Sequence, residues 1–346
     1  MLRLKDIAER AGVSIMTVSK SLRDAPDISA ATRERIKKLA SDMGYVPNSA
    51  AQGLRNRTTR LLGLIIPAAT NPIYARITMA IEEQAYARGY DVVFAHSLNQ
   101  PDREEVCIQR MLARRVDGVF ISPVYRMETE SPAYRELWNR RVPTVLLGHR
   151  APFCANFASV ETEDILASYR VTRHLLQLGH RRIAFLAGPS SSPTSHERLE
   201  GYRRAVRELG LQVEDSLIFQ AGSTIDEGEK AAAQMAGEKC GATAIQAVND
   251  MVAIGAGTFF LQQGLRIPQD FSIAGFGNIL VSEHFRVPLT TIRQPKFRLG
   301  VAAVETMFRL LDGEMPPVKR LTGDLVVRES TGAPPAVSAF GVREEG

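Results

Sequence analysis

The residue types that could do covalent chemistry in this chain are poorly arranged for it. Adjacent Ser–His pairs such as Ser195-His196 have no third partner nearby in sequence. The GxxxxGK[ST] phosphate loop, the HExxH zinc helix and the GxSxG nucleophile turn are all missing. Gly255-Ala256-Gly257 is a fragment of a dinucleotide-binding GxGxxG, but it lies inside a predicted helix. Cys107, Cys154 and Cys240 are far apart and form no CxxC pair, so neither a disulfide framework nor a zinc site is expected, and no cofactor or metal is implied. What remains is recognition chemistry. In the body, Arg198 offers a rigid fork of donors, and Asn249 and Gln294 each offer a donor and an acceptor, a combination suited to sugar hydroxyls or a carboxylate. Near the N-terminus, Lys20 and the hydroxyls of Ser14, Thr17, Ser19 and Ser29 suit phosphates and base edges.

The elements that must position the N-terminal group are three short helices. Leu4, Ile7, Ala8 and Ala11 repeat at the spacing of one helical face over 4–11. Gly12 suits the left-handed conformation that ends a helix, Val13 is an apolar plug, and Ser14 can cap a second helix over 15–22. Helix, Gly-containing turn, helix is the helix-turn-helix pattern. Ser29 can cap a third helix over 30–43, stopped by Gly44. Ile28, Ile36, Leu39 and Tyr45 are expected to close a core over Ile7, Val13 and Val18.

Charge separates this segment from the rest. Residues 1–60 carry twelve Lys/Arg against six Asp/Glu, whereas the remaining chain carries 31 against 32. The net +5 of the 346-residue chain is therefore a basic N-terminal module on a near-neutral body, which points to a polyanion partner or to a solvated basic face.

The body alternates strands and helices. Strands are expected over 61–66, 91–95, 118–122, 144–147, 183–187, 217–220, 244–248 and 272–276. Helices fall between them over 72–88, 102–114, 133–141, 164–178, 197–209, 227–237 and 251–263. Such βαβα alternation predicts parallel sheets with helices on both faces, and the length calls for two lobes. Tyr74, His149, Arg198, Asn249 and Gln294 all fall shortly after strands, where ligands of parallel sheets bind.

The N-terminal segments Lys5-Asp6-Ile7-Ala8, Ala11-Gly12-Val13-Ser14, Thr17-Val18-Ser19 and Gly44-Tyr45-Val46-Pro47-Asn48, in this order and spacing, resemble the lac/gal repressor (LacI/GalR) family of bacterial transcription regulators. The resemblance continues through nearly the whole chain. It implies an N-terminal all-α helix-turn-helix headpiece plus an α/β periplasmic-binding-protein-like core of two Rossmann-like subdomains. The headpiece would span 1–47 and a hinge helix with its linker 48–60, the helix itself on 48–57. The core N-subdomain would span 61–161 with 292–320, and the C-subdomain 162–291 with 321–346.

The same resemblance implies a homodimer that binds a palindromic double-stranded operator in the cytoplasm, at the nucleoid, without membrane attachment. Ile15, Met16 and Lys20 take the base-reading positions of the second helix, with Ser14, Thr17, Ser19 and Ser29 as backbone contacts. Ser14 and Ser29 serve equally well as helix caps. In the hinge, Asn48, Ala51 and Leu54 are the candidate contacts, Leu54 standing where the family wedges a leucine into the minor groove. A flexible linker with an incidental leucine is the competing reading of that stretch. Arg198, Asn249 and Gln294 match the family's effector contacts, with Tyr74 and His149 beside them. At two positions the chain departs from the family's acidic residues: Gly277 replaces one aspartate and His149 another. Without both carboxylates, a neutral hexose loses its usual chelating partners, and a larger ligand, a more anionic one or a weak response stay open. An enzyme and a secreted sugar-binding protein are the rival classes. The first lacks a catalytic constellation; the second leaves the basic N-terminal module unexplained and lacks an export signal in this sequence.

Overall fold

The computed structural model describes residues 2–45 and 58–341. It divides the chain into two compact units, Met1–Thr59 and Arg60–Gly346. The expected hinge helix, with Asn48, Ala51 and Leu54, lies outside the described residues.

The first unit holds α1 (Leu4–Ala11), α2 (Ile15–Ser21) and α3 (Ala30–Asp42). Gly12 ends α1 at φ 65°, a left-handed conformation that costs glycine no Cβ clash. Ile7, Ala8, Ala11, Val18, Ile36 and Ala40 form the buried core, and Val13, Leu39 and Tyr45 pack against it. Ile28 was expected there too. It is half-buried in the loop before α3 and lies outside that cluster.

The second unit has two parallel sheets. The first uses β1 (Leu61–Ile66), β2 (Asp91–His96), β3 (Gly118–Ile121), β4 (Thr144–Leu147), β5 (Ala158–Thr162) and β11 (Lys319–Leu321), in the order β11-β5-β4-β3-β1-β2. Around it stand α4 (Pro72–Tyr86), α5 (Pro101–Ala113), α6 (Pro132–Asn139) and α12 (Lys296–Leu311). The second sheet uses β6 (Ile183–Ala187), β7 (Ile218–Gln220), β8 (Ala244–Ala247) and β9 (Ser272–Ala274), in the order β7-β6-β8-β9. Its helices are α7 (Asp164–Gln177), α8 (Pro193–Glu208), α9 (Ile225–Glu238) and α10 (Asp250–Gln262), followed by the short α11 (Leu280–His284). Apolar clusters cover both faces of each sheet, which is why strands such as β1 and β6 read as continuous apolar runs.

The chain passes between the lobes where β5 runs into α7, where β10 (Thr291–Arg293) leads back to α12, and where β11 leads to β12 (Asp324–Val326). β10 and β12 pair antiparallel at this waist. α12 returns to the first lobe and packs on α4, so closely that a Cβ on Gly300 would stand 2.6 Å from the Ile77 carbonyl oxygen. α8 starts at Pro193, four residues before the expected 197, so Arg198 sits in the second turn of the helix rather than at its first residues. Proline fits the first helical position, where no N–H is needed. No helix among the described residues is long and apolar enough to cross a membrane.

Candidate functional site

The headpiece presents an apolar pair on a polar helix. Val18 is fully buried under α2, and its register leaves Ile15 and Met16 48% and 52% exposed at the helix N-terminus. The two side chains form an exposed apolar pair at the start of the helix. Ser14 caps α2: its oxygen accepts the Thr17 N–H at 3.0 Å and lies 2.9 Å from the Thr17 hydroxyl. Ser29 caps α3 in the same way, accepting the Thr32 N–H at 3.3 Å. The Lys20 ammonium pairs with the Asp27 carboxylate, and its hydrogen bond lowers the Asp27 pKa. The neighbouring Lys37–Asp24 pair is 2.6 Å long. Ser19 contributes its carbonyl, which accepts Arg23 Nε–H at 2.8 Å.

The second site is a cavity of about 210 Å³ between the lobes of the core. Tyr74, from the first turn of α4, and His149, after β4, come from the first lobe; Arg198 from α8 and Asn249 from the cap of α10 come from the second. Gln294 follows β10 at the waist. These five expected residues line the cavity together, joined by Asn71, Thr162, Thr194 and the ring of Phe276.

Arg198 is held on three sides. Its Nε–H donates to Asp164 at 2.7 Å, Nη1 donates to the Val248 carbonyl at 2.7 Å, and the guanidinium stacks 3.6 Å from the Phe276 ring centre. This depends on how near α8 lies to α7: a Cβ on Gly201 would stand 2.3 Å from the Ile165 carbonyl oxygen. Asp164 is fully buried and also accepts the Thr162 hydroxyl.

A charged network extends from this pair across the lobes. His149 Nε2 lies 2.9 Å from Glu197 and 3.7 Å from Asp164. Arg320, from β11, reaches Glu197 at 3.3 Å and Glu161 of β5 at 3.0 Å. Burial alone would depress His149, but the Glu197 hydrogen bond and the charges of Asp164, Glu197 and Glu161 outweigh it and raise its pKa. Glu197 moves the other way: burial pushes it up, and His149 and Arg320 more than reverse that. His149, Asp164 and Glu197 place ligand-type atoms within 4.8 Å of one another. The guanidiniums of Arg198 and Arg320 pair with the two carboxylates, which ties the group into an ion-pair network.

Gly277, the sixth expected residue, does not line the cavity. Its backbone, at φ 139°, donates to the Ile292 carbonyl at 2.9 Å and accepts the Lys296 ammonium at 2.6 Å. A Cβ there would stand 3.1 Å from Ile73 Cδ1 and 3.3 Å from the buried Asp250 carboxylate, so an aspartate would be strained at this backbone and would face a second carboxylate. Asp164, Glu197, Glu161 and Arg320 were not singled out from the sequence. Their partners are supplied across the fold, and only the acidic start of α7 at Glu163-Asp164 gave a local signal.

Residues 3–48 match the family described as bacterial regulatory proteins, lacI family, and residues 172–331 match a periplasmic binding protein-like domain. The chain is 30% identical to the HTH-type transcriptional regulator DegA of Bacillus subtilis (strain 168), over 94% of this chain and 97% of DegA. The chain belongs to the lacI family. Its fold is similar to that of a lac repressor dimer solved bound to operator and the anti-inducer ONPF, with a TM-score of 0.84, 28% identity, and coverage of 96% of this chain and 99% of that one. It also resembles the transcriptional regulator CelR in complex with cellobiose, with a TM-score of 0.72, 28% identity, and coverage of 95% and 100%. This lacI-family chain is thus a DNA-binding transcriptional regulator, with a helix-turn-helix headpiece and a periplasmic-binding-protein-like core.

Proposed function

We propose that this regulator represses transcription in the cytoplasm, at the nucleoid, as a homodimer on a pseudo-palindromic operator, and that a small sugar-like effector in the interlobe cavity controls it. The observation that carries ligand control is the convergence of Tyr74, His149, Arg198, Asn249 and Gln294, from both lobes and the waist, on one cavity. A ligand touching both lobes binds one lobe arrangement better than another, and so biases whatever depends on that arrangement.

On DNA, the N-terminal end of α2 enters the major groove. Ile15 and Met16 pack on thymine methyl groups, and Lys20 exchanges Asp27 for a guanine edge or a phosphate. Ser14, Thr17, Ser19 and Ser29 fix the register on the backbone. Residues 1–47 form the headpiece and 48–60 the hinge, where Asn48 and Ala51 face DNA and Leu54 wedges a base step. The core subdomains are 61–161 with 292–320, and 162–291 with 321–346. The lac repressor relative was solved as a dimer on operator, and the CelR relative with cellobiose, which supports both halves of the reading. An electrophoretic shift with palindromic duplexes tests it. A salt-sensitive, sequence-specific complex that Leu54→Ala weakens supports the reading; the absence of any sequence-specific complex refutes it.

A further inference from the structure

Asn71, Asn249 and Arg198 each keep a free donor in the cavity. Asn71 Oδ1 accepts the Ile73 N–H at 3.2 Å, which leaves its Nδ2 unpartnered among the described residues. Asn249 Oδ1 accepts the Val252 N–H at 2.8 Å and its Nδ2 donates once, to the Ser223 carbonyl at 3.1 Å, which leaves one N–H. Both amides are fixed in orientation by these bonds. Arg198 uses Nε and Nη1 on Asp164 and Val248, and its Nη2 has no partner among the described residues although the side chain is only 9% exposed. The Gln294 amide is likewise unpartnered and can present either end.

Charge is arranged in the same sense. No carboxylate lines the cavity among the described residues, whereas Arg198 and His149 do. Their acidic partners Asp164 and Glu197 do not line it, so the guanidinium and the imidazole, not the carboxylates, face the ligand space. Asn71 and Asn249 cap α4 and α10, and the partial positive charge of both helix N-termini falls on the same space.

We propose that the cavity binds a compact oxyanion, a sugar acid or a sugar phosphate of about monosaccharide size, with its anionic head on Arg198 Nη2 and its hydroxyl-bearing body against Asn71, Asn249 and Gln294. This rests on the effector reading above. A volume of about 210 Å³ is below the range of pockets that hold drug-sized ligands, roughly 300–1,000 Å³.

Calorimetry on the full chain tests it, with D-gluconate and D-glucuronate as carboxylate probes, D-glucose 6-phosphate as the phosphate probe, and D-glucose as the neutral control. Binding of any of the anions, at least about tenfold tighter than glucose, is expected, since hydrogen bonds to a charged group carry that much discrimination. The anion that binds identifies the head group. Asn71→Asp keeps the cap on Ile73 but replaces the free donor by a negative charge, and Gln294→Glu does the same at the waist. Each variant, folded by circular dichroism, should weaken the anion at least about tenfold. Glucose binding as tightly as the anions overturns this inference and leaves the effector reading standing. An anion whose affinity both variants leave unchanged overturns the placement. Failure of all four probes to bind overturns the inference and removes support for ligand control in this cavity as well.

Discussion

Arg198→Met probes the pair at the centre of the cavity wall. The guanidinium and Asp164 are 9% and 0% exposed and 2.7 Å apart, so solvent screens them little. Removing the cation leaves a fully buried carboxylate with the Thr162 hydroxyl as its near donor and His149 Nε2 at 3.7 Å. It also strips the Val248 carbonyl of its donor at 2.7 Å. Breaking a buried pair from one side costs about 3–5 kcal/mol, because the remaining charge is uncompensated. Methionine refills most of the volume, so little of that loss is cavity. Asp164→Asn in the same chain removes the stranded charge and still accepts from Thr162, and the double variant should cost only about 1–2 kcal/mol, the scale of lost hydrogen bonds. Urea unfolding followed by circular dichroism supplies the three differences, provided the slopes agree. The double variant is expected to recover about 2–3 kcal/mol of what Arg198→Met alone loses. Single and double variants losing the same stability would refute the claim that Asp164 depends on Arg198.

Asp27→Asn frees Lys20 and removes one negative charge from the headpiece. Non-specific DNA affinity should rise, and the slope of log K against log salt should steepen by about 0.9, one added phosphate contact; anisotropy titrations from low to high salt decide it. The His149–Glu197 pair gives stability a pH window. The His149 pKa is raised above its ordinary 6.5, so its contribution is complete below that value and disappears as pH rises through the folded pKa. The Glu197 pKa is lowered below 4.5, so its contribution holds above that value and is lost as pH falls through the folded pKa. His149→Gln should therefore flatten the loss of stability on the alkaline side, and wild-type and variant curves that run parallel from pH 6 to 8 would count against the pair. Gly201→Ala places a methyl 2.3 Å from the Ile165 carbonyl oxygen and 2.8 Å from the Tyr169 amide nitrogen, forcing α8 off α7. A loss of about 1–3 kcal/mol is expected, and a wild-type melting temperature would show that the close approach is unimportant.

The parts of this fold that local chemistry specifies were legible in the sequence. Gly12, Ser14 and Ser29 act on groups within three or four residues of themselves, and the helices they bound begin and end within a residue of expectation. β1, β4 and β6 announce themselves as buried apolar runs. β5 does not, because Ser159 and Glu161 interrupt its pattern and yet are buried, hydrogen-bonded to each other at 2.7 Å. The strand–helix alternation stops short of α12, although Leu299, Ala302, Ala303 and Met307 carry its apolar stripe. The cavity residues could be named because they follow strands and match the family. Their state could not be read, because Asp164, Glu197 and Arg320 reach Arg198 and His149 only once the two lobes are built. Gly277 shows the same limit: the backbone that would strain a carboxylate here is set by Lys296, Ile292 and Asp250, all distant in sequence or supplied by the waist.

Selection of binding sites from a randomised duplex pool by the full chain, repeated with Ile15→Ala/Met16→Ala, tests the central claim most directly. The account predicts a pseudo-palindromic site for the wild type, with two half-sites about one helical turn or a multiple of it apart. The double variant should lose enrichment at the thymine-rich positions while retaining salt-sensitive binding to any duplex. No enriched site for the wild type, or an unchanged site for the double variant, would contradict it.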